Sequence, residues 1–211
     1  MTELEMAAPM AHGHGAMLEE SPFGIDSKKL VMWLFIIADA VTFGALLVGY
    51  GFLRIGSPDW TRPFAFFPSI VNGMVMTLVL LTSSLTTLWA VAAARRQERS
   101  TAVRWLLVTT LLGAVFAVLH LREWFGMFAG GWRPSVNPMG GSALVGATFF
   151  SITGLHLLHV LAGVIAIPII AFGFRRGRFH AGHVETTGLY WHFVDLVWMF
   201  VFPLVYLMNA R

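Results

Sequence analysis

The sequence predicts an all-α, polytopic membrane protein with five transmembrane helices, and two observations lead to that fold class. Hydrophobic residues make up 57% of the 211 positions and charged residues only 12%, which is far outside the range of soluble globular domains. Five apolar runs are each long enough to cross a hydrocarbon core about 30 Å thick at about 1.5 Å of rise per helical residue. Because no polar stretch is long enough to fold separately, we expect one membrane domain and a tail.

Residues 1–28 are predicted to form a mobile N-terminal tail, because they mix acidic residues with glycine and proline and lack the apolar core of a signal peptide. The membrane domain is expected to cover residues 29–208. Its five spans are predicted at approximately 29–53, 69–94, 103–128, 143–172 and 186–208. The connections "GSPDWTRP" and "GGWRPSVNP" contain glycine and proline, which favour ending helices rather than joining them.

Basic residues are concentrated in alternate connections, and this indicates how the spans are oriented. One set of connections contains Lys28, Lys29, Arg95, Arg96, Arg99, Arg104, Arg175, Arg176 and Arg178, whereas the other contains Arg54, Arg62 and Arg133. The positive-inside rule therefore predicts a cytoplasmic N-terminus and an external C-terminus. The net charge of +3 is modest, and nothing in its distribution supports nucleic-acid binding.

The chain contains no cysteine, and this limits the cofactors it can hold. Disulfides, iron–sulfur clusters, thiolate metal sites and covalent haem attachment are excluded. Any metal would need histidine or carboxylate ligands.

Asp39 lies in the first span, in "FIIADAVTFG", about ten residues beyond Lys29 and hence about 15 Å into the hydrocarbon core. An ionised carboxylate facing lipid at that depth would cost several kcal/mol, so Asp39 must be neutral, paired with a donor or facing protein. One interpretation is a neutral aspartate bonded to a neighbouring helix, and the other is a proton-handling group. The sequence leaves both open.

The third span ends in "LHLREWFGMF", where His120 and Glu123 are three residues apart and share a helix face. Glu123 lies near the external end of the span, where long side chains can reach the interface. We expect an interfacial pairing here rather than a catalytic role.

The fourth and fifth spans carry further ionisable residues. The fourth contains "TGLHLLHVLAG", which places His156 and His159 beside small residues on one narrow face. In the fifth, Glu185, His192 and Asp195 form a comparable stripe. His159 and His192 lie at similar depth, so we predict that they meet across a helix–helix contact and that Asp195 faces the bundle interior.

Two functions of different classes fit these residues. Histidines on facing helices can hold a haem axially, which would make the chain a membrane electron carrier. Alternatively, His156, His159, His192 and Asp195 form a polar inter-helix network that ties the bundle together and binds lipid or a partner. A haem needs two histidines on opposite faces of the macrocycle at matched depth. Of the three histidines in the fourth and fifth spans, only His159 and His192 match in depth. The network is therefore the favoured interpretation.

Three stretches carry a resemblance to a known family: "LFIIADAVTFGALL", "VGATFFSITGLHLLHVLAGVI" and "ETTGLYWHFVDLVWMFVFPLVY". They resemble subunit III of the haem–copper respiratory oxidases in its five-helix bacterial form, and the similarity runs from about residue 22 to residue 208. The pair T-G-x-H-x-x-H-V at 153–160 and W-H-F-V-D-x-V-W at 191–198, in this order in a five-span chain, is highly specific to the family.

The resemblance implies roles for three carboxylates. Asp39 matches a buried helix carboxylate, usually glutamate, that reacts with carbodiimide. Glu123 matches the acidic position of the family pattern Q-x-x-E-Y/W, in which His120 stands here in place of glutamine. Glu185 fits the acidic residue that precedes the last helix in cytochrome c oxidases. These three side chains are therefore expected to be the proton-linked groups of the chain.

The resemblance also implies partners and a task. Subunit III is expected to hold no metal and to catalyse no redox step, because the haems and copper belong to partner subunits. It is expected to pack on subunit I in the bacterial cytoplasmic membrane, beside other oxidase subunits, and the sequence leaves open whether the complex belongs to a larger respiratory supercomplex. There it would bind phospholipid, support proton uptake and preserve activity over many turnovers of aerobic respiration. Cytochrome c oxidase is the expected complex, with a quinol oxidase or the related nitric-oxide-reductase-associated subunit as alternatives.

Overall fold

The computed structural model describes residues 27–211, which form five long helices. The helices are α1 (Ser27–Gly56), α2 (Val71–Arg95), α3 (Arg99–Ala129), α4 (Leu144–Arg175) and α5 (Ala181–Val201). Short helical turns extend two of them, at Phe66–Ile70 before α2 and at Phe202–Tyr206 and Leu207–Asn209 after α5. All but the last two residues of the predicted N-terminal tail lie outside the described part of the chain.

Each helical unit is long and apolar enough to cross a membrane, which confirms the predicted all-α fold with five spans. The units contain 29 to 32 residues, so each is roughly 43–48 Å long at the usual helical rise. This exceeds the hydrocarbon thickness of about 30 Å, and the helix ends therefore extend into the interfacial region. Across residues 27–211 the β-type pairing consists of isolated bridges, such as that between Phe64 and Ala210.

Four helices, α2 to α5, form a closed ring in which each packs on the next and α5 returns to α2. α1 packs outside this ring, against α4 and α5. Only 6% of its most apolar stretch is buried, compared with 33% to 56% for the other four spans. α1 therefore presents most of its surface outward, which in a membrane means towards lipid or another protein.

The two ends of the bundle differ in charge. One end of the bundle holds the start of α1, the α2–α3 turn and the end of α4. We call it the basic end, because it carries the basic residues of the first set of connections. Lys29 of α1 and Arg95 of α2 both reach Glu185 of α5, so these helix ends lie together. The other end is called the opposite end, and the positive-inside rule predicts that it is external.

Trp191 of α5 lies at the centre of the ring and is fully buried. Its indole Nε1 donates a hydrogen bond to the Ser83 hydroxyl of α2 at 2.9 Å. The far edge of the indole lies against Gly113 of α3 and Gly163 of α4, where a Cβ atom would collide with the ring. One side chain thus contacts the three other helices of the ring, and the two glycines leave the space for it.

At the opposite end, Asn209 connects the end of the chain to α1 and to the loop that follows α1. Its side-chain nitrogen donates to the Tyr50 hydroxyl at 2.8 Å, and its side-chain oxygen accepts from Trp60 Nε1 at 3.0 Å. The Phe64 backbone N–H donates to the Asn209 carbonyl at 3.3 Å. Because Asn209 is buried, these bonds satisfy its polar atoms and hold the end of α1 against the C-terminal turn.

Replacing Gly163 with valine should destabilise the bundle, because the added carbon atoms would overlap the Trp191 ring. Overpacking a well-filled core typically costs about 1–3 kcal/mol. We expect a lower midpoint of thermal unfolding for the purified variant in detergent, and a similar loss for Gly113→Val. Gly126→Val is the matched control, because nothing lies within 4 Å of a Cβ at that α3 position. Equal midpoints for the three variants would contradict the central role of Trp191.

Candidate functional site

The seven residues singled out by the sequence are distributed over the interior and both ends of the bundle rather than gathered in one cluster. They are Asp39, Glu123, Glu185, His156, His159, His192 and Asp195. Each lies where its own helix meets another, so each has a neighbour outside its helix.

Asp39 of α1 and His159 of α4 form a contact near the middle of both helices that attaches α1 to the ring. Asp39 Oδ2 lies 3.2 Å from His159 Nε2, and both side chains are largely buried. This is ion-pair distance, although the two groups are not aligned as in a well-formed hydrogen bond. Phe43 of α1 packs edge-on against the same imidazole, with 5.5 Å between ring centroids.

The backbone of α4 orients the His159 imidazole. Its Nδ1 atom lies 2.8 Å from the Leu155 carbonyl oxygen, which can only accept, so Nδ1 carries a proton. In the neutral ring Nε2 is then unprotonated and faces the Asp39 carboxyl group. A favourable contact therefore requires one proton between the two groups, either on the carboxyl or on Nε2. The pair can hold a single proton in a position shielded from lipid.

His192 of α5 is bonded to α2 and not to His159. Its Nδ1 atom lies 2.6 Å from the Ser84 hydroxyl oxygen. The predicted contact between His159 and His192 is absent from the hydrogen bonds of residues 27–211, because His159 is turned towards α1. Tyr190 is the α5 residue that reaches His159, donating to its carbonyl oxygen at 2.9 Å. Matched depth in the sequence could not show which neighbour each histidine faces.

Asp195 of α5 faces the bundle interior, with only 6% of the residue exposed. The Ser84 hydroxyl that contacts His192 also lies beside Asp195. Neither carboxyl oxygen has a hydrogen bond of good geometry to another described residue. The Ser84 hydroxyl therefore lies beside two ionisable groups that are one turn apart on α5. The sequence did not single out Ser84, because a serine in an apolar helix is common.

His156 of α4 and His120 of α3 are both fully buried among aromatic rings. The Trp198 indole stacks on His156 at 5.1 Å and meets His120 edge-on at 5.6 Å, and Phe116 contacts both imidazoles. Within the described chain no nitrogen of either imidazole has a hydrogen-bond partner. Both histidines thus pack around Trp198, whose Nε1 donates to the Thr77 hydroxyl of α2 at 3.0 Å.

Glu123 of α3 is bonded to α2 rather than to His120. Its Oε2 atom accepts a hydrogen bond from Asn72 Nδ2 at 3.0 Å. The expected pairing of Glu123 with His120 does not occur among the hydrogen bonds of residues 27–211, because the His120 ring is drawn inward against Trp198. Glu123 and Asn72 instead lie in a groove between α2 and α3 at the opposite end of the bundle.

Glu185 joins three helices at the basic end. Its Oε1 atom lies 2.8 Å from Lys29 Nζ of α1 and 2.9 Å from Arg95 Nη2 of α2. Close by, Lys28 Nζ lies 3.0 Å from His183 Nε2 of α5. The Lys29 and Arg95 side chains are well exposed, so each ion pair contributes little stability by itself, and the main effect is to fix the relative positions of the three helix ends.

The positions of the histidine and carboxylate side chains bear on whether the described residues could hold a metal ion or a haem. No group of three or more histidine or carboxylate side chains that could hold a metal ion occurs between residues 27 and 211. His159 and His192, the pair that the sequence analysis placed at matched depth, contact different helices, namely α1 and α2. This arrangement favours the inter-helix contacts over the electron-carrier hypothesis.

Comparison with known proteins identifies the family. The family model described as cytochrome c oxidase subunit III matches residues 19–210, which is nearly the whole chain. The chain belongs to the cytochrome c oxidase subunit III family. The resemblance seen in the sequence motifs is therefore confirmed.

Relatives of this subunit III occur in several kinds of oxidase. The chain is 30% identical over 208 residues to cytochrome c oxidase subunit 3 of Corynebacterium diphtheriae, covering 96% of this chain and 95% of the relative. It is 34% identical over 184 residues to cytochrome bo(3) ubiquinol oxidase subunit 3 of Pseudomonas aeruginosa, covering 84% and 83%. It is 33% identical over 185 residues to probable quinol oxidase subunit 3 of Staphylococcus aureus, covering 86% and 89%.

Family membership and the five spans together define the setting of this subunit III. It is part of a haem–copper oxidase complex, which is an oxidoreductase. It is a multi-pass protein of the bacterial cytoplasmic membrane.

A double-mutant cycle on Asp39→Ala and His159→Ala should reveal a favourable coupling between the two side chains. Hydrogen-bonded pairs inside membrane proteins average about 0.6 kcal/mol and rarely exceed about 2 kcal/mol, and we expect a coupling in this range. The measurement is the free energy of unfolding of the four proteins in mixed micelles. Asp39→Ala with His192→Ala is the control cycle, because these side chains contact different helices and should act additively. Equal coupling in both cycles would refute a specific Asp39–His159 contact.

Proposed function

We propose that this chain is the accessory subunit III of a proton-translocating cytochrome c oxidase and that it performs no redox chemistry itself. The observation that carries the proposal is the family match, which covers residues 19–210 and with them all five spans. In the proposed complex the haems and copper are held by partner subunits, and subunit I is the main partner. This chain would stabilise subunit I, hold phospholipid beside it and support proton uptake.

The inter-helix contacts support a role in holding a defined surface towards the partner. α1 buries little of its own area, so its position depends on a few contacts: Asp39 with His159 in the middle, and Lys29 with Glu185 at the basic end. Membrane-buried hydrogen bonds are individually weak, so several are needed to fix one helix. We propose that α1, held in this way, is the face that adjoins phospholipid and subunit I.

The charged cluster at the basic end supports a role in proton uptake. Glu185, Lys29 and Arg95 lie within one set of contacts at the end that the positive-inside rule places in the cytoplasm. Lys29 and Arg95 hold the Glu185 carboxylate in a fixed position, where the charges of the cluster shape the electrostatic field around a nearby entry point. Asp39 lies about 15 Å further along α1, so we assign it to helix contact and lipid organisation rather than to uptake.

Two electron donors are compatible with subunit III. Cytochrome c is favoured by Glu185, which the family resemblance associates with cytochrome c oxidases, and by the Corynebacterium diphtheriae relative that aligns over 96% of the chain. Quinol is the second candidate, because the Pseudomonas aeruginosa and Staphylococcus aureus relatives are named as quinol oxidase subunits.

The purified complex should consume oxygen with reduced cytochrome c as the electron donor. The physical reason is that electrons from cytochrome c enter through a copper-binding extramembrane domain, which mass spectrometry should find in a co-purifying subunit. Oxygen uptake is measured with reduced cytochrome c and, as the control, with a short-chain quinol. Oxidation of the quinol alone, together with a partner lacking that domain, would assign the chain to a quinol oxidase and leave its place as subunit III unchanged.

Removal of this chain from the complex should leave the first turnovers intact, because catalysis resides in subunit I. Activity should then fall with each turnover rather than with time at rest, since the exposed flank loses ordered lipid. Turnover should also slow more steeply as pH rises, because proton uptake becomes limiting when protons are scarce.

Oxygen consumption with and without the subunit, measured across a range of pH, checks both effects, and adding back the purified chain should reverse the pH effect. If depletion abolished the first turnovers, or left inactivation per turnover unchanged, the accessory role would be wrong.

A further inference from the structure

A groove between α2 and α3 opens on the outside of the bundle at the opposite end. Its volume is about 650 Å³, enough for a headgroup and the first part of an acyl chain. Apolar side chains of both helices line most of it, among them Val75, which is 43% exposed, and Leu119. Four polar residues, Ser69, Asn72, Arg122 and Glu123, also line it. The function proposed above places phospholipid at α1, on another face of the bundle, and assigns no role to this groove.

The polar part of the groove lies near the boundary of the hydrocarbon core. Asn72 lies six residues after Phe66, where the α2 unit begins, and Glu123 lies six residues before the end of α3 at Ala129. Both are therefore about 9 Å from the helix ends. A span of roughly 45 Å centred on a core of about 30 Å leaves roughly 7–8 Å outside at each end. This is the depth at which lipid headgroups meet acyl chains.

The Glu123 carboxylate has neutral partners within the chain. Asn72 Nδ2 donates to Oε2 at 3.0 Å, and the Ser69 hydroxyl lies beside the same carboxylate. Between residues 27 and 211 no Lys, Arg or His nitrogen comes within 4.0 Å of Glu123, since the ion pairs involve other carboxylates. An ionised carboxylate has about four acceptor positions, so Glu123 can accept further donors. A carboxylate open to lipid at this depth is costly unless a cation is supplied.

Arg122 supplies the opposite charge at the rim of the same groove. It is exposed, and no carboxylate of the described chain lies within 4.0 Å of its guanidinium group. Guanidinium groups bind phosphate through several N–H donors at once. The groove therefore offers a carboxylate on its floor, a guanidinium group at its rim and an apolar wall running towards the membrane centre.

We propose that this groove binds one phospholipid with a primary ammonium headgroup, of the phosphatidylethanolamine class. The ammonium group donates to Glu123, the phosphate accepts from Arg122, and an acyl chain lies along Val75 and Leu119. Charge complementarity selects this occupant. A choline headgroup has no N–H to donate, and a glycerol headgroup leaves the lipid with a net negative charge beside Glu123.

The test uses the full chain, purified and stripped of lipid, so that its result does not depend on oxidase activity. Native mass spectrometry measures binding of dioleoyl phosphatidylethanolamine, its mono- and dimethylated forms, phosphatidylcholine and phosphatidylglycerol, all with the same acyl chains. We expect affinity to fall with each added methyl group, reaching a loss of about tenfold for phosphatidylcholine, as for removal of a charge-assisted hydrogen bond. Phosphatidylglycerol should bind at least as weakly as phosphatidylcholine.

Substitutions then assign each part of the headgroup. Glu123→Gln should abolish the preference for ethanolamine over choline, whereas Arg122→Gln should weaken both lipids by a similar factor. The controls are Glu98→Gln and Arg62→Gln, which change the same charges outside the groove. Gly126→Leu provides an independent variant: Gly126 lines the groove, and its Cβ position is free of contacts, so the leucine fills the groove without disturbing the core. It should remove bound lipid whatever the headgroup.

Several outcomes would overturn the proposal. Equal affinity for all five lipids, or a preference for phosphatidylglycerol, would show that Glu123 does not select the headgroup. An unchanged ethanolamine preference in Glu123→Gln, or undiminished binding to Gly126→Leu, would place the lipid elsewhere on the chain. A photo-crosslinker at position 75 that captures a polypeptide instead of lipid in native membranes would identify the groove as a protein contact.

Discussion

The burial of the Trp191 indole at the centre of the four-helix ring is the contact on which the remaining structure depends. The ring system reaches α2 through its hydrogen bond to Ser83 and packs where Gly113 and Gly163 leave α3 and α4 without side chains. In a bilayer the hydrophobic effect does not drive helices together, so close packing and hydrogen bonds between helices must do so. A single bulky side chain that satisfies both requirements sets the spacing of the whole ring.

Trp198 repeats this arrangement two turns further along α5. Residues seven apart share a helix face, so its indole also points into the ring, where it bonds to Thr77 and stacks on His156. The two tryptophans divide the interior into layers, and Asp195 lies between them on the same buried face. The position of α5 thus determines where Ser83 and Thr77 of α2 and His156 of α4 find their partners.

α1 is held in place differently from the four helices of the ring. It has little buried surface and is attached by polar contacts at three depths: Lys29 with Glu185, Asp39 with His159, and Tyr50 with Asn209. The Asp39–His159 contact pairs groups that would be costly to leave facing lipid, and the contacts at the two ends of α1 add to it, so together they fix the rotation of α1 as well as its position. A helix held in this way keeps a broad outward face, which suits a subunit that works by contact with lipid and a larger partner.

The amino-acid sequence by itself determined the five spans, the fold class and the family, because apolar length and motif order are properties of the linear chain. It also identified the ionisable residues of the interior, since any such group inside a long apolar run stands out. Only the tertiary structure decided their partners: His159 faces Asp39 and not His192, and Glu123 faces Asn72 and not His120. Depth and helical periodicity place a residue along and around its own helix, but the rotation of each helix against its neighbours is set by side-chain packing. The partners Ser84 and Asn72 could not be recognised beforehand, because neutral residues in an apolar helix acquire significance only when the packing places them beside a charged group.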